Sequence, residues 1–172
     1  MSFDSDGRLK FINHACYSIE SENSILISDP WLEGLAFDNG WNLLDTSSSN
    51  EQTIKELISS GKKIFVWYSH EHSDHFSISF LRESIKSIKN FTVIYQTTLD
   101  KRLINFLKSK GISVIEAIDG KEIVLDSQLS IYIWPHKNGD SFSLLSYKNL
   151  KILNLNDCII DDKKEALKIS NK

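Results

Sequence analysis

Apolar and polar positions along this chain follow two different periods, and the changes of period mark its elements. Leu9-Lys10-Phe11-Ile12 and Cys16-Tyr17-Ser18-Ile19-Glu20 read as short strands on either side of Asn13-His14-Ala15. After a turn at Glu22-Asn23, Ile25-Leu26-Ile27 reads as the returning strand, ended by Asp29-Pro30 because proline brings no N–H to a ladder. Ile54, Leu57 and Ile58 fall at helical spacing and predict a helix capped by Asn50, running through Ser60 and stopped by Gly61. The apolar run Ile64-Phe65-Val66-Trp67-Tyr68 reads as a buried strand. Ile78, Leu81, Ile85 and Ile88 line one face of a helix over 76–88, and Arg82, Glu83, Lys86 and Lys89 line the other. A strand over 91–95 and a helix over 99–108 stopped by Gly111 come next. Strands follow at 114–115, 123–125, 129–134, 144–145 and 151–155, then an amphipathic helix over 161–169. Strand and helix alternating, then a run of strands, suits an α/β fold with a mixed sheet and helices on one face.

Two stretches lack a period. The first ten residues are polar and are expected to be loose. From Trp31 to Thr46 the chain is rich in aromatics, Gly and Asn, which predicts a long ordered loop, and such loops are often functional. Its Trp31, Phe37 and Trp41 could wall a substrate pocket or cap the core beneath.

Composition narrows the function classes. At 172 residues, 41% hydrophobic, the chain suits one domain spanning 1–172. Twenty Lys and Arg against 23 Asp and Glu give a net charge of −3, which offers no basic field for nucleic acid or anionic lipid. A small soluble substrate fits better. No apolar stretch approaches the roughly 18 residues of a spanning helix. The two cysteines, Cys16 and Cys158, stand far apart and no leader pattern opens the chain, so a cytoplasmic location is expected.

The chemistry is concentrated in His70-Glu71-His72-Ser73-Asp74-His75, three imidazoles and two carboxylates directly after the buried strand. While the chain stays extended, His70 and His72 point the same way and can share one ion. Once it turns toward the next helix, Asp74 and His75 can hold a second. Neutral imidazoles and carboxylates suit two divalent ions, zinc ahead of iron or manganese, and the absence of cysteine argues against a purely structural zinc knot. Asp29, after its strand, is placed to accept the free N–H of a metal-bound imidazole or to serve the fold alone. His14 reads equally as a histidine bonded at the sheet edge or as one near the metal or substrate.

The His70–His75 signature resembles that of the metallo-β-lactamase superfamily. Further stretches are similar to the metallo-β-lactamase-like part of the CMP-N-acetylneuraminate (sialic acid) hydroxylase family: Ser28-Asp29-Pro30-Trp31-Leu32, Gly40-Trp41-Asn42-Leu43-Leu44, Tyr68 through Phe76, and Ile152 through Cys158. The resemblance implies an αββα sandwich. It implies that His70 and His72 bind one metal with His136 as third imidazole, that Asp74 and His75 bind the other, and that Asp157 bridges both. Asp74 is then ligand and expected catalytic carboxylate together. Asp157 has a plainer alternative as a helix cap, and Cys158 reads as a small buried apolar residue.

Hydrolysis leads among the implied functions: two ions would lower the pKa of a bridging water from ~15.7 towards ~7 for attack on a phosphodiester, lactone or sugar derivative. Iron-based hydroxylation is the alternative. The resembling hydroxylases also carry a Rieske cluster, whose cysteine and histidine pairs this chain lacks. A non-catalytic metal-binding module is the third possibility. The superfamily's final metal-binding histidine, expected downstream of Asp157, has no counterpart among the five histidines. That gap predicts a C-terminally incomplete sandwich, with the second half only begun and self-association through an uncovered apolar face.

Overall fold

A computed structural model describes residues 2–3 and 7–170. The first sheet has seven strands: β1 (Ser2–Phe3), β2 (Gly7–Asn13), β3 (Cys16–Glu20), β4 (Ser24–Ser28), then β7 (Lys63–Tyr68), β8 (Thr92–Gln96) and β9 (Ser113–Ala117), in that spatial order. Strands β1 to β4 pair antiparallel; from β4 onward every pairing is parallel. Between β4 and β7 lie the small hairpin β5 (Leu35–Ala36) and β6 (Trp41–Asn42) and helix α1 (Asn50–Ser59). Helices α2 (Ile78–Ser87) and α3 (Arg102–Ser109) make the next crossovers. The second sheet is the antiparallel set β10 (Ile123–Val124), β11 (Leu129–Pro135), β12 (Ser141–Tyr147) and β13 (Leu150–Asn154), followed by α4 (Lys163–Ser170).

Strand periodicity sorts the side chains into layers. Ile25, Ile27, Val66, Tyr68 and Val93 point to one face and pack with Leu57, Phe80, Leu81 and Leu107 of α1 to α3. Their neighbours Leu26, Trp67 and Ile94 point to the other face and meet Ile131, Ile133 and Leu145 of the second sheet. Each fully buried large apolar side chain here contributes roughly 1.5–3 kcal/mol of transfer free energy. On the far side, Ile169 of α4 joins Trp134, Phe142 and Cys158. Helices α1 to α3 therefore cover the outer face of the first sheet and α4 packs on that of the second through Ile169, the layer order of an αββα sandwich.

The structure departs from the sequence reading in four local ways. Ser2–Phe3 pairs with the start of β2, so the chain's beginning is not uniformly loose; residues 1 and 4–6 lie outside the described residues. The 31–46 stretch holds the β5–β6 hairpin, too short to show a period. Ser49, not Asn50, caps α1 by accepting the Gln52 N–H, while the buried Asn50 amide donates to Glu33 and Ser79. Helix α2 starts at Ile78 behind its Ser77 cap, and α3 starts at Arg102, each later than the apolar spacing implies. The delay in α2 matters most, because it leaves Asp74 and His75 on a turn in which both the His75 and Phe76 N–H groups donate to the His72 carbonyl.

A candidate dinuclear metal site

Register brings the chemistry to one edge. Tyr17 stands opposite Ser28, and Ser28 opposite Trp67, so the β2–β3 turn, the residue after β4 and the loop after β7 emerge side by side. In the β2–β3 turn a register shift lets Asn13 pair with Cys16, and His14 takes a left-handed backbone (φ 46°). That conformation is uncommon outside glycine, with Asn, Asp and His the residues enriched in it, and the imidazole it carries reaches Asp74. Trp31 meets the ring edge-on at 5.2 Å.

Two groups of potential ligands result. His70, His72 and Asp157 form one, and His14, Asp74 and His75 the other; within each, the ligand atoms lie within 4.8 Å of one another. In the first, His70 Nε2 is 2.8 Å from His72 Nδ1. In the second, Asp74 Oδ2 is 3.1 Å from His14 Nε2 and 3.5 Å from His75 Nε2. Oδ2 of Asp157, after β13, lies 3.8 Å from His70 Nε2 and 3.4 Å from His75 Nε2, between the two groups.

A metal-ligating imidazole is usually oriented by a bond at its other nitrogen, and both buried histidines have one. His70 Nδ1 faces Ser69 Oγ at 2.9 Å, with Asp140 Oδ1 at 3.8 Å. His75 Nδ1 faces Asp29 Oδ2 at 3.2 Å. The wholly buried Asp29 carboxylate also accepts from the Ser69 backbone N–H (2.8 Å) and from the Asn156 amide (2.5 Å). The remaining buried atoms give the test of fit: His75 Nε2 and Asp74 Oδ1 have no hydrogen-bond partner among the described residues. Buried polar atoms are normally satisfied. Two unsatisfied ligand-type atoms in one group of His and Asp are what a cation site leaves when its ion is subtracted. The second group fits a cation, and the first, two histidines and a carboxylate, offers the same donor types.

Electrostatics differ between the groups. Burial, helped by the charge of His75, pulls the His70 pKa below its ordinary value despite Asp29 and Asp140, which favours the neutral ring a metal needs. For His75, burial works in the same downward direction, but the Asp29 hydrogen bond and the charges of Asp29, Asp157 and Asp74 outweigh it and raise the pKa. A cation entering there competes with a proton.

His136 is not brought to this cluster, contrary to the expectation that it supplies a third imidazole. Its loop closes on itself, with the His136 N–H donating to the Asp140 carbonyl at 2.7 Å, and its ring turns to Glu165 of α4 at 3.1 Å. Asp140, at the other end of that loop, is the residue that approaches His70. Trp41 is 54% exposed rather than capping core; it meets Phe37 at 5.0 Å, and Phe37 meets His72 at 5.7 Å, an aromatic wall beside the first group. Trp31 is buried with Ala36 and Leu43. No pattern in the sequence marks Ser69, Asp140 or Asn156 as part of the site. Only their adjacency to expected ligands or loops could have flagged them.

This fold and site define a class: the chain belongs to the family described as the beta-lactamase superfamily domain, whose pattern matches residues 8–142. Among characterised proteins, it is similar to the cytidine monophosphate-N-acetylneuraminic acid hydroxylase of Xenopus laevis, 28% identical over 157 residues, covering 88% of this chain and 26% of that protein. The Danio rerio hydroxylase of the same name is 29% identical over 156 residues, covering 87% of this chain and 25% of that protein. The chain thus spans about a quarter of the length of these relatives. In three dimensions it shares the fold of CmlA, a diiron beta-hydroxylase from Streptomyces venezuelae, with a TM-score of 0.72 at 14% identity, over 99% of this chain and 33% of that one.

Proposed function

We propose that this chain is the dinuclear-metal module of a hydroxylase, with iron as the resident ion. The observation that carries the reading is the composition of the two groups. Each is a pair of histidines with one carboxylate, the donor set typical of non-haem iron oxygenases. Hydrolysis would use the same residues; the hydroxylases among the similar proteins favour oxygen chemistry over it. Bound here, the ions would supply activation of dioxygen for insertion of one oxygen atom into a substrate C–H bond. The balance is R–H + O2 + 2 e− + 2 H+ giving R–OH + H2O, so a one-electron carrier protein must deliver the electrons. Cys16 and Cys158 lie buried in separate core clusters, so they do not form the cysteine and histidine pairs of a Rieske centre.

The protein's part is positioning. Asp29 and Ser69 fix the rings of His75 and His70 so that both Nε2 atoms face inward, and Asp157 presents one oxygen to both. Asp74, buried between His14 and His75, serves the second group as ligand. Phe37 and Trp41 flank the open side and would exclude water from one flank of the substrate. By its relatives, the substrate is an acidic sugar linked to a nucleotide, a small anionic molecule. Anaerobic reconstitution with ferrous iron tests the reading. Two irons per chain, oxidised on exposure to air, are expected; retention of two zinc ions with no iron uptake would move the reading to hydrolysis.

A further inference from the structure

We infer that Asn156 is the positioning residue that ties the two metal groups together, an inference that rests on the dinuclear reading above. Three observations converge on it. Asn156 occupies the left-handed region (φ 51°) directly before Asp157, a conformation that glycine and asparagine adopt at least cost. Its own N–H donates to Asn154 Oδ1 at 2.9 Å, which fixes the turn that ends β13. Its amide donates to Asp29 Oδ2 at 2.5 Å, the same oxygen that lies 3.2 Å from His75 Nδ1.

That shared oxygen is the mechanical link. Asp29 and His75 lie in the stretches that follow β4 and β7, central strands of the first sheet, whereas Asn156 and Asp157 follow β13, the last strand of the second. Among the described residues, the side chain of Asn156 is the one seen to join the Asp157 turn to the carboxylate behind His75. Asp157 itself is about half exposed, with a side-chain exposure of 48%, so its own packing holds it loosely. The tie therefore sets where the Asp157 carboxylate stands between His70 and His75. Asparagine meets both demands at once: glycine would keep the backbone and lose the donor, and aspartate would keep the backbone and set a second carboxylate against Asp29.

Cobalt(II) titration, followed by its visible absorption, tests this on Asn156→Gly and Asn156→Asp beside the parent protein, with circular dichroism to establish folding. The parent is expected to bind two cobalt ions, and both variants to bind them at least tenfold more weakly, the usual scale for loss of a residue that orients a ligand. A purely structural role would instead lower the melting temperature of the metal-free variants and leave cobalt affinity intact. Parent-like affinity in either folded variant overturns the role of Asn156. Failure of both variants to fold overturns it too, since the fold rather than the ions would then need the tie. A parent protein that binds no cobalt is a distinct result and removes the dinuclear reading itself.

Discussion

Replacing Asp29 by alanine should destabilise the metal-free protein as strongly as a core cavity, although no apolar contact is at stake. The carboxylate has no solvent exposure and faces three donors: the Ser69 N–H, the Asn156 amide and His75 Nδ1. A buried donor left without an acceptor costs about 1–3 kcal/mol, so the two buried donors, the Ser69 N–H and His75 Nδ1, lose roughly 2–6 kcal/mol together, and the half-buried Asn156 amide adds less. Against this stands relief from burying the carboxylate's own charge near Asp74 and Asp157. The net should fall near the 3–5 kcal/mol found when one partner of a buried pair is removed. At about 2–4 °C per kcal/mol for a domain of this size, the melting temperature should drop by roughly 10 °C. Calorimetry on chelator-treated protein measures it. Asp29→Asn, which keeps one acceptor oxygen, should lose less. A metal-free Asp29→Ala protein melting within about 2 °C of its parent would show that this carboxylate does not hold the site together.

Other outcomes follow from the same geometry. His72→Ala, and separately Asp74→Ala, should each lower bound metal by elemental analysis without unfolding the protein, because the core lies beneath the loop in Val66, Tyr68 and Phe80. His136→Ala should leave metal content unchanged, since its ring pairs with Glu165; a drop in metal content would return it to the ligand set. Trp41→Ala should raise the Michaelis constant for an accepted substrate and spare the metal. Both thiols should resist a disulfide reagent at pH 8: burial holds Cys16 well above its ordinary value and pushes Cys158 up to about 12, so both remain protonated there. Reaction of either in the native protein would contradict the packing around it.

The sheet strands were the easiest part to read, because continuous apolar runs such as Ile64 to Tyr68 have one cheap solution, burial on both faces. The ligand loop was legible for its density of imidazoles. The place of His14 was not, for it depends on a bulge and a left-handed residue that no periodicity encodes. The resemblance to the superfamily points to His136 as a ligand, whereas in the structure its ring pairs with Glu165, 29 residues on in α4. The β5–β6 hairpin escaped for want of length. The misses at His14 and His136 lie where a single φ angle or a side chain 29 residues away outweighs local pattern.

The candidate ligands stand at residue 14, at 70–75 and at 157, on a hairpin turn, after a parallel strand and beyond the last strand of the other sheet. Each group joins two residues of the short 70–75 stretch to a third that is distant in the chain, His14 or Asp157. The group of His14, Asp74 and His75 is complete once the first sheet has formed, whereas the group of His70, His72 and Asp157 is complete only when both sheets have docked, so binding energy there is added to the finished structure. The dependence also runs backward. Should β13 and the turn behind it fray from the sandwich edge, the Asp157 carboxylate would leave first, and the group of His70 and His72 would lose its third ligand while the core was still intact.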